Sequence, residues 1–269
     1  MRIKVKVIVA ALIAAASVGA QSTQSTCSSA TLKGTYGTWE QGTVVAQLPG
    51  LPTPPFPFVN AVIATYDGAG NFSGSFTGSF GGVTVPGTFS GTYVVNPDCT
   101  YSDQFTPAPL GVVVHHAGTI TGGELLRQIN YIYTDSLLVV WGTARRTPPW
   151  GCSLATVRGA YGISGQGTLT AQIPGLPAPP VPVAHSGMFT VGGAGSFSGQ
   201  DVLSLGGTIM PDTFTAKFTV NPNCTVSAAI TTSLGVLNEV GTITGYWPFQ
   251  EVHNIITNAG WVFAETSRN

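Results

Sequence analysis

The chain has 269 residues, a formal net charge of −1 and only 8% charged residues, against 35 glycines and 19 prolines. Charge this sparse excludes nucleic acid as a partner, because phosphate recognition needs clustered Lys and Arg. The surface must instead be solvated by hydroxyls and backbone groups, and the regular apolar alternation described below excludes a disordered chain.

Arg2, Lys4 and Lys6 precede an apolar run from Val7 to Val18, which ends in Val18-Gly19-Ala20. A charged start, a short apolar stretch and a small-residue cleavage site read as a secretory signal peptide, residues 1–20. The run falls short of the roughly 20 apolar residues that span a bilayer as a helix. Removal of three cations takes the formal charge from −1 to about −4. The expected location is secreted or periplasmic, with no membrane span after signal removal.

The remainder is a duplication. Cys27-Ser28-Ser29-Ala30-Thr31-Leu32-Lys33-Gly34-Thr35-Tyr36-Gly37 returns as Cys152-Ser153-Leu154-Ala155-Thr156-Val157-Arg158-Gly159-Ala160-Tyr161-Gly162. Val95-Asn96-Pro97-Asp98-Cys99-Thr100 returns as Val220-Asn221-Pro222-Asn223-Cys224-Thr225. The period is about 125 residues, with about half the positions identical up to Thr100, and it slips slightly afterwards. That is the size of a whole domain rather than a solenoid unit. The expected units are 21–146 and 152–269, joined by a short Pro-containing linker at 147–151.

Within each copy the pattern is β. Val59–Tyr66, Gly70–Phe80, Pro86–Val95 and Leu137–Ala144 are rich in β-branched and aromatic residues, with turn signals such as Asp67-Gly68-Ala69-Gly70-Asn71 between them. Alternation places Phe89, Tyr93 and Val95 on one face. Seven to nine strands at this spacing predict an all-β chain of two tandem small antiparallel up-and-down barrels, since closure removes the exposed edges. An outer-membrane barrel is the architectural rival. Four cysteines in an exported chain imply bridges, and the duplication selects Cys27–Cys99 and Cys152–Cys224 among three pairings.

The Cys-Ser-x-Ala-Thr-Leu-x-Gly-Thr-Tyr-Gly start, Tyr66-Asp67-Gly68-x-Gly70-Asn71, and Gly91-Thr92-Tyr93-x-Val95-Asn96-Pro97-Asp98-Cys99-Thr100 resemble an uncharacterised family of secreted bacterial proteins of acidobacterial type. The resemblance covers most of each copy and implies no activity. In pattern alone, the chain is also similar to allene-oxide-cyclase-like and other calycin barrels, whose apolar interior can hold a hydrophobic ligand. No residues here match that family's catalytic motif.

The titratable residues mostly differ between the copies. Glu40 faces Gly165, Asp98 faces Asn223, Asp103 faces Ala228, and His185 aligns with Asn60. Position by position, a site common to both copies lacks an acid or base. His115 and His116 point to opposite faces of a strand, so no shared metal is expected, and no cofactor either. The expected ligand lining is Phe72, Phe89 and Tyr93 in the first copy and Phe197, Phe214 and Phe218 in the second.

The Pro-rich stretch Leu48–Phe58 and its twin Ile173–Val183 read as stiff apolar loops. Leu51, Phe56, Phe58, Leu176 and Val181 are their apolar residues, available either to plug a barrel end or to meet a partner.

Three functions follow in order. The first is a non-catalytic module binding a small apolar ligand. The second is a structural or adhesive envelope protein that meets a cell-surface partner through the apolar loops. The third is a calycin-type isomerase or cyclase. A convergent polar group inside a cavity, such as Glu40 or His116, would favour the third.

Overall fold

A computed structural model describes residues 26–269 apart from Gly175 and Gly193, so the expected signal peptide lies outside the described residues. The first barrel runs β1 (Gly34–Val44), β2 (Phe56–Tyr66), β3 (Asn71–Phe80), β4 (Val83–Val95), β5 (Thr100–Ala108), β6 (Val114–Thr121), β7 (Gln128–Tyr133) and β8 (Leu138–Arg146). The second runs β9 (Gly159–Leu169), β10 (Val181–Gly192), β11 (Ser196–Leu205), β12 (Thr208–Val220), β13 (Thr225–Thr232), β14 (Gly235–Thr244), β15 (Glu251–Ile256) and β16 (Trp261–Arg268). Each set pairs antiparallel in chain order and closes on itself, through β1–β8 and β9–β16.

The alternation expected of a half-buried strand is plain in β12. Asp212, Phe214, Ala216 and Phe218 are buried, and Thr213, Thr215, Lys217 and Thr219 are exposed. In β12, apolar side chains thus face the interior while Thr and Lys face outward, the reverse of a lipid-facing strand.

Turns are built by short side chains. Asp67 Oδ1 accepts from the backbone N–H groups of Ala69 (2.6 Å) and Asn71 (3.0 Å), and Asp67 Oδ2 accepts from Asn71 Nδ2 (2.8 Å). This carboxylate is spent on a hairpin. In the Asn-Pro-x-Cys turns, Asp98 Oδ1 accepts from Thr100 Oγ1 (2.7 Å), and Asn223 Oδ1 does the same for Thr225 Oγ1 (2.8 Å). Either side chain builds the turn, which explains the exchange between copies.

The Pro-rich stretches end earlier than the sequence suggests. Phe56 and Phe58 lie inside β2 with their side chains buried, and Val181 and Val183 open β10 in the same way. Pro57 is tolerated because it pairs only with Thr43 of β1, beyond the last β3 partner, so its missing N–H breaks no ladder bond. Leu48 is buried, and Leu51 and Leu176 pack half-buried against the cores. These apolar residues of the loops turn inward against the barrel cores.

The barrels pack side by side. Outward-facing Val59 and Ala61 of β2 meet Ile255, Val262 and Ala264 of β15 and β16 in a small apolar cluster. Around it, Ser79 Oγ donates to the Trp261 carbonyl (2.6 Å), Thr84 Oγ1 to the Thr257 carbonyl (2.9 Å) and Thr170 Oγ1 to the Gly81 carbonyl (3.0 Å). Gly82 and Gly260 approach so closely that a Cβ on Gly82 would stand 2.6 Å from the Gly260 Cα. Arg145 of the first barrel pairs with Glu251 of the second, whose other oxygen accepts from Arg268 Nε at 2.8 Å.

Each barrel carries the expected disulfide, Cys27–Cys99 and Cys152–Cys224, each with a sequence separation of 72. In the chain-entropy picture, a loop of that length is worth roughly 4 kcal/mol. Replacing Cys152 and Cys224 by Ala is therefore expected to lower the urea midpoint of the second barrel, by up to about 4 kcal/mol in unfolding free energy. Thiol titration of the denatured, unreduced parent protein should find no free thiol.

Candidate functional site

The interior of the first barrel is not filled. Phe72, Phe76, Phe80, Phe89 and Phe105 enclose a cavity of about 60 Å³, space for about two waters. Leu48 from the β1–β2 loop and Leu110 and Val112 from the β5–β6 loop close one end. The 3-10 turn Ser29–Leu32 closes the other, with Leu32 wholly buried.

Tyr93 belongs to that second closure. Its hydroxyl donates to the Ser29 carbonyl (2.9 Å) and accepts from the Gly68 N–H (3.1 Å). Phe72 and Phe89 line the cavity, whereas the Tyr93 hydroxyl is drawn to the end cap.

Two buried polar groups converge on this apolar chamber. Glu40 Oε1 accepts from the Tyr131 hydroxyl (2.6 Å), while Oε2 accepts from the Tyr133 hydroxyl (2.8 Å) and Asn60 Nδ2 (2.9 Å). His116 Nδ1 donates to Asp103 Oδ2 (3.2 Å), which also takes the Tyr101 hydroxyl. Tyr66 extends the chain, its hydroxyl 3.1 Å from that of Tyr101. Burial pushes Tyr131 and Tyr133 well above the ordinary tyrosine range, and the adjacent Glu40 carboxylate pushes them further. These phenols are fixed donors. Asp103 Oδ1, Asn60 Oδ1 and His116 Nε2 are buried with no hydrogen-bond partner. His115 sits on the opposite face, half-exposed and bound to Asp135 at 2.9 Å.

The second barrel also carries buried ionisable groups, from different positions. His185 Nδ1 donates to Asp201 Oδ2 (2.9 Å), and Nε2 lies 3.3 Å from Glu265 Oε2. Asn254 Nδ2 bridges Glu239 (3.2 Å) and Glu265 (3.1 Å). The interior here is divided into cavities of about 40 and 30 Å³, with Phe214 lining the first and Phe197 and Phe218 the second.

Comparison of the copies position by position missed a displacement across the sheet. Glu40 of β1 pairs with Gly142 of β8, and Gly165 of β9 pairs with Glu265 of β16. The carboxylate has moved to the neighbouring strand, and the glycine has moved the other way. Each glycine makes room for a bridge. A Cβ on Gly142 would stand 2.6 Å from the Tyr131 ring that crosses it to Glu40. One on Gly165 would stand 2.8 Å from His185 Nε2, which crosses it toward Glu265. Both barrels therefore hold a buried acid, contrary to the aligned reading. The signal that could have revealed it is the reciprocal Glu/Gly exchange at two positions.

Burial alone would lower the His185 pKa, but Asp201 and Glu265 outweigh it and raise it from 6.5 to about 10. Burial raises Glu239 well above the carboxylate range, and the nearby Glu265 raises it further. At the barrel–barrel contact, burial would raise Glu251, but His253 and Arg145 outweigh it and hold it at about 2. Among the described residues, no group of three or more His, Cys, Asp and Glu side chains is arranged to hold a metal ion.

Elsewhere, Trp150, Trp247 and Phe249 are 71%, 63% and 59% exposed, and Trp150 lies 6.5 Å from Tyr246. The sequence reading did not single out this aromatic patch.

The fold and the site define a class: a tandem, disulfide-closed antiparallel barrel protein with a buried polar cluster in each barrel. No protein-family model matches the chain, and no curated protein matches it in sequence. No helix among the described residues is long and apolar enough to cross a membrane.

Two outcomes are expected from this geometry. Replacing Glu40 by Gln puts an amide donor where two tyrosines and Asn60 donate, and should cost about 1–3 kcal/mol in urea unfolding. The second concerns pH. A raised pKa means that the His185 contribution is full below pH 6.5 and is lost as pH rises through about 10. The lowered pKa of Glu251 means that its contribution is present above pH 4.5 and is lost as pH falls through about 2. His185→Asn should flatten the part of the fall in melting temperature that lies between pH 6.5 and about 10, and should leave the acid limb set by Glu251 unchanged.

Proposed function

We propose that this is a secreted, non-catalytic binding protein whose first barrel holds a small apolar molecule by its polar end. The observation that carries this reading is the chamber itself. Aromatic staves surround a space lined by Asp103, Asn60 and His116, whose Oδ1, Oδ1 and Nε2 atoms are buried without partners. Buried polar atoms are ordinarily satisfied, and three open ones around one cavity suit a guest that satisfies them. Phe72 and Phe89 are the apolar contacts in this reading. The 60 Å³ chamber takes the polar end and its first carbons, and a longer body displaces Leu110 and Val112.

Two other readings have one observation each. The exposed Trp150, Trp247 and Phe249 favour an adhesive role, through this patch rather than the Pro-rich loops. His116, held at Nδ1 by Asp103 with Nε2 free, has the form of a general base and favours an isomerase or cyclase.

Native mass spectrometry of the protein purified from its own host's secretions, against a denatured control, decides among them. The expected result is a small co-purifying molecule lost on denaturation. An apo mass that stays unchanged when an extract of the same medium is added back would favour the adhesive role.

A further inference from the structure

We infer that the polar end of the first barrel's ligand carries a hydrogen-bond donor and no negative charge, as in an aliphatic alcohol or amine and unlike a fatty acid. The inference rests on the binding reading above and goes on to the chemistry of the ligand.

It follows from a census of donors. The Tyr131 and Tyr133 hydroxyls and one N–H of the Asn60 amide are given to Glu40. The Tyr101 hydroxyl is given to Asp103. With Tyr101 so engaged, the contact between Tyr66 and Tyr101 is completed by the Tyr66 hydrogen. What is left without a partner is two acceptors, Asp103 Oδ1 and Asn60 Oδ1, and His116 Nε2, all on residues that line the chamber, together with the Thr38 hydroxyl, which can donate or accept. A neutral imidazole that donates from Nδ1 offers a lone pair at Nε2, a third acceptor.

Charge points the same way. Glu40 and Asp103 line the chamber with His116, and no Lys or Arg does. Even with His116 counted as a cation, the lining carries a net negative charge. A ligand carboxylate would have to lose its water beside Glu40 and Asp103 with no cation to replace it. A hydroxyl or ammonium group donates directly to Asp103 Oδ1 and Asn60 Oδ1.

The second barrel supports the argument independently. Its chamber is lined by Asp201, Asp212, Glu239 and Glu265 against His185 alone. The individual residues were exchanged after duplication, yet an acidic interior persists in both copies.

The test uses the whole chain at pH 7 and three ligands of equal length: 1-octanol, octylamine and octanoate, titrated by calorimetry. Octanol and octylamine should bind, with octanoate at least tenfold weaker. Asp103→Asn, checked for folding by its melting curve, should narrow that gap by weakening octylamine and strengthening octanoate. Octanoate binding as tightly as octanol would overturn the inference and leave the binding reading in place. Binding of none of the three would overturn the binding reading itself, and the inference with it.

Discussion

Closure of each sheet is the constraint on which everything else depends. When β8 returns to β1, and β16 to β9, every second side chain is sealed into an interior with no open edge. Any polar group on that face must find its partner inside or leave a cost of about 1–3 kcal/mol. This is why Glu40 collects three donors and why His185 is held between two carboxylates. It is also why the phenols and Glu239 have raised pKa values: burial penalises their charged forms before any neighbour acts.

Legibility divided along the same line. Features set by chain order could be read directly: strand spacing, the inward face of Phe89, Tyr93 and Val95, and the pairing of cysteines within each repeat. The residues supporting the family resemblance turn out to build turns, caps and strand cores. Asp67 closes a hairpin, Tyr93 closes a barrel end, and Cys99 anchors the turn before β5. Such residues preserve architecture rather than carry chemistry.

The site was harder to read because it is organised across strands rather than along them. Aligning the copies compared Glu40 with Gly165 and found nothing shared, although the relevant neighbour of Gly165 is Glu265, one strand away. Pairing register decides which residues meet, and it depends on closure between the two ends of a domain. The Pro-rich stretches misled for a related reason. Proline was counted against strand structure, but Pro57 sits where β2 has outrun β3 and needs no N–H. The aromatic patch around Trp150 was missed because it joins the inter-barrel linker to the β14–β15 connection, which are distant in sequence.

The two interiors have diverged in a way that bears on where a ligand could sit. In the first barrel the polar groups satisfy one another mainly at Glu40, leaving Asp103, Asn60 and His116 with open atoms around one chamber. In the second, His185 lies between Asp201 and Glu265, the space is cut into two smaller cavities, and His185 Nε2, Asp201 Oδ1 and Asn254 Oδ1 are likewise buried without hydrogen-bond partners. The second barrel also flanks the first: Val262 and Ala264 pack against Val59 and Ala61 on the outer face of β2, the strand whose inner face carries Asn60. Duplication thus left cavities of about 60 Å³ in the first barrel and about 40 and 30 Å³ in the second, with the second barrel packed against the strand that carries Asn60.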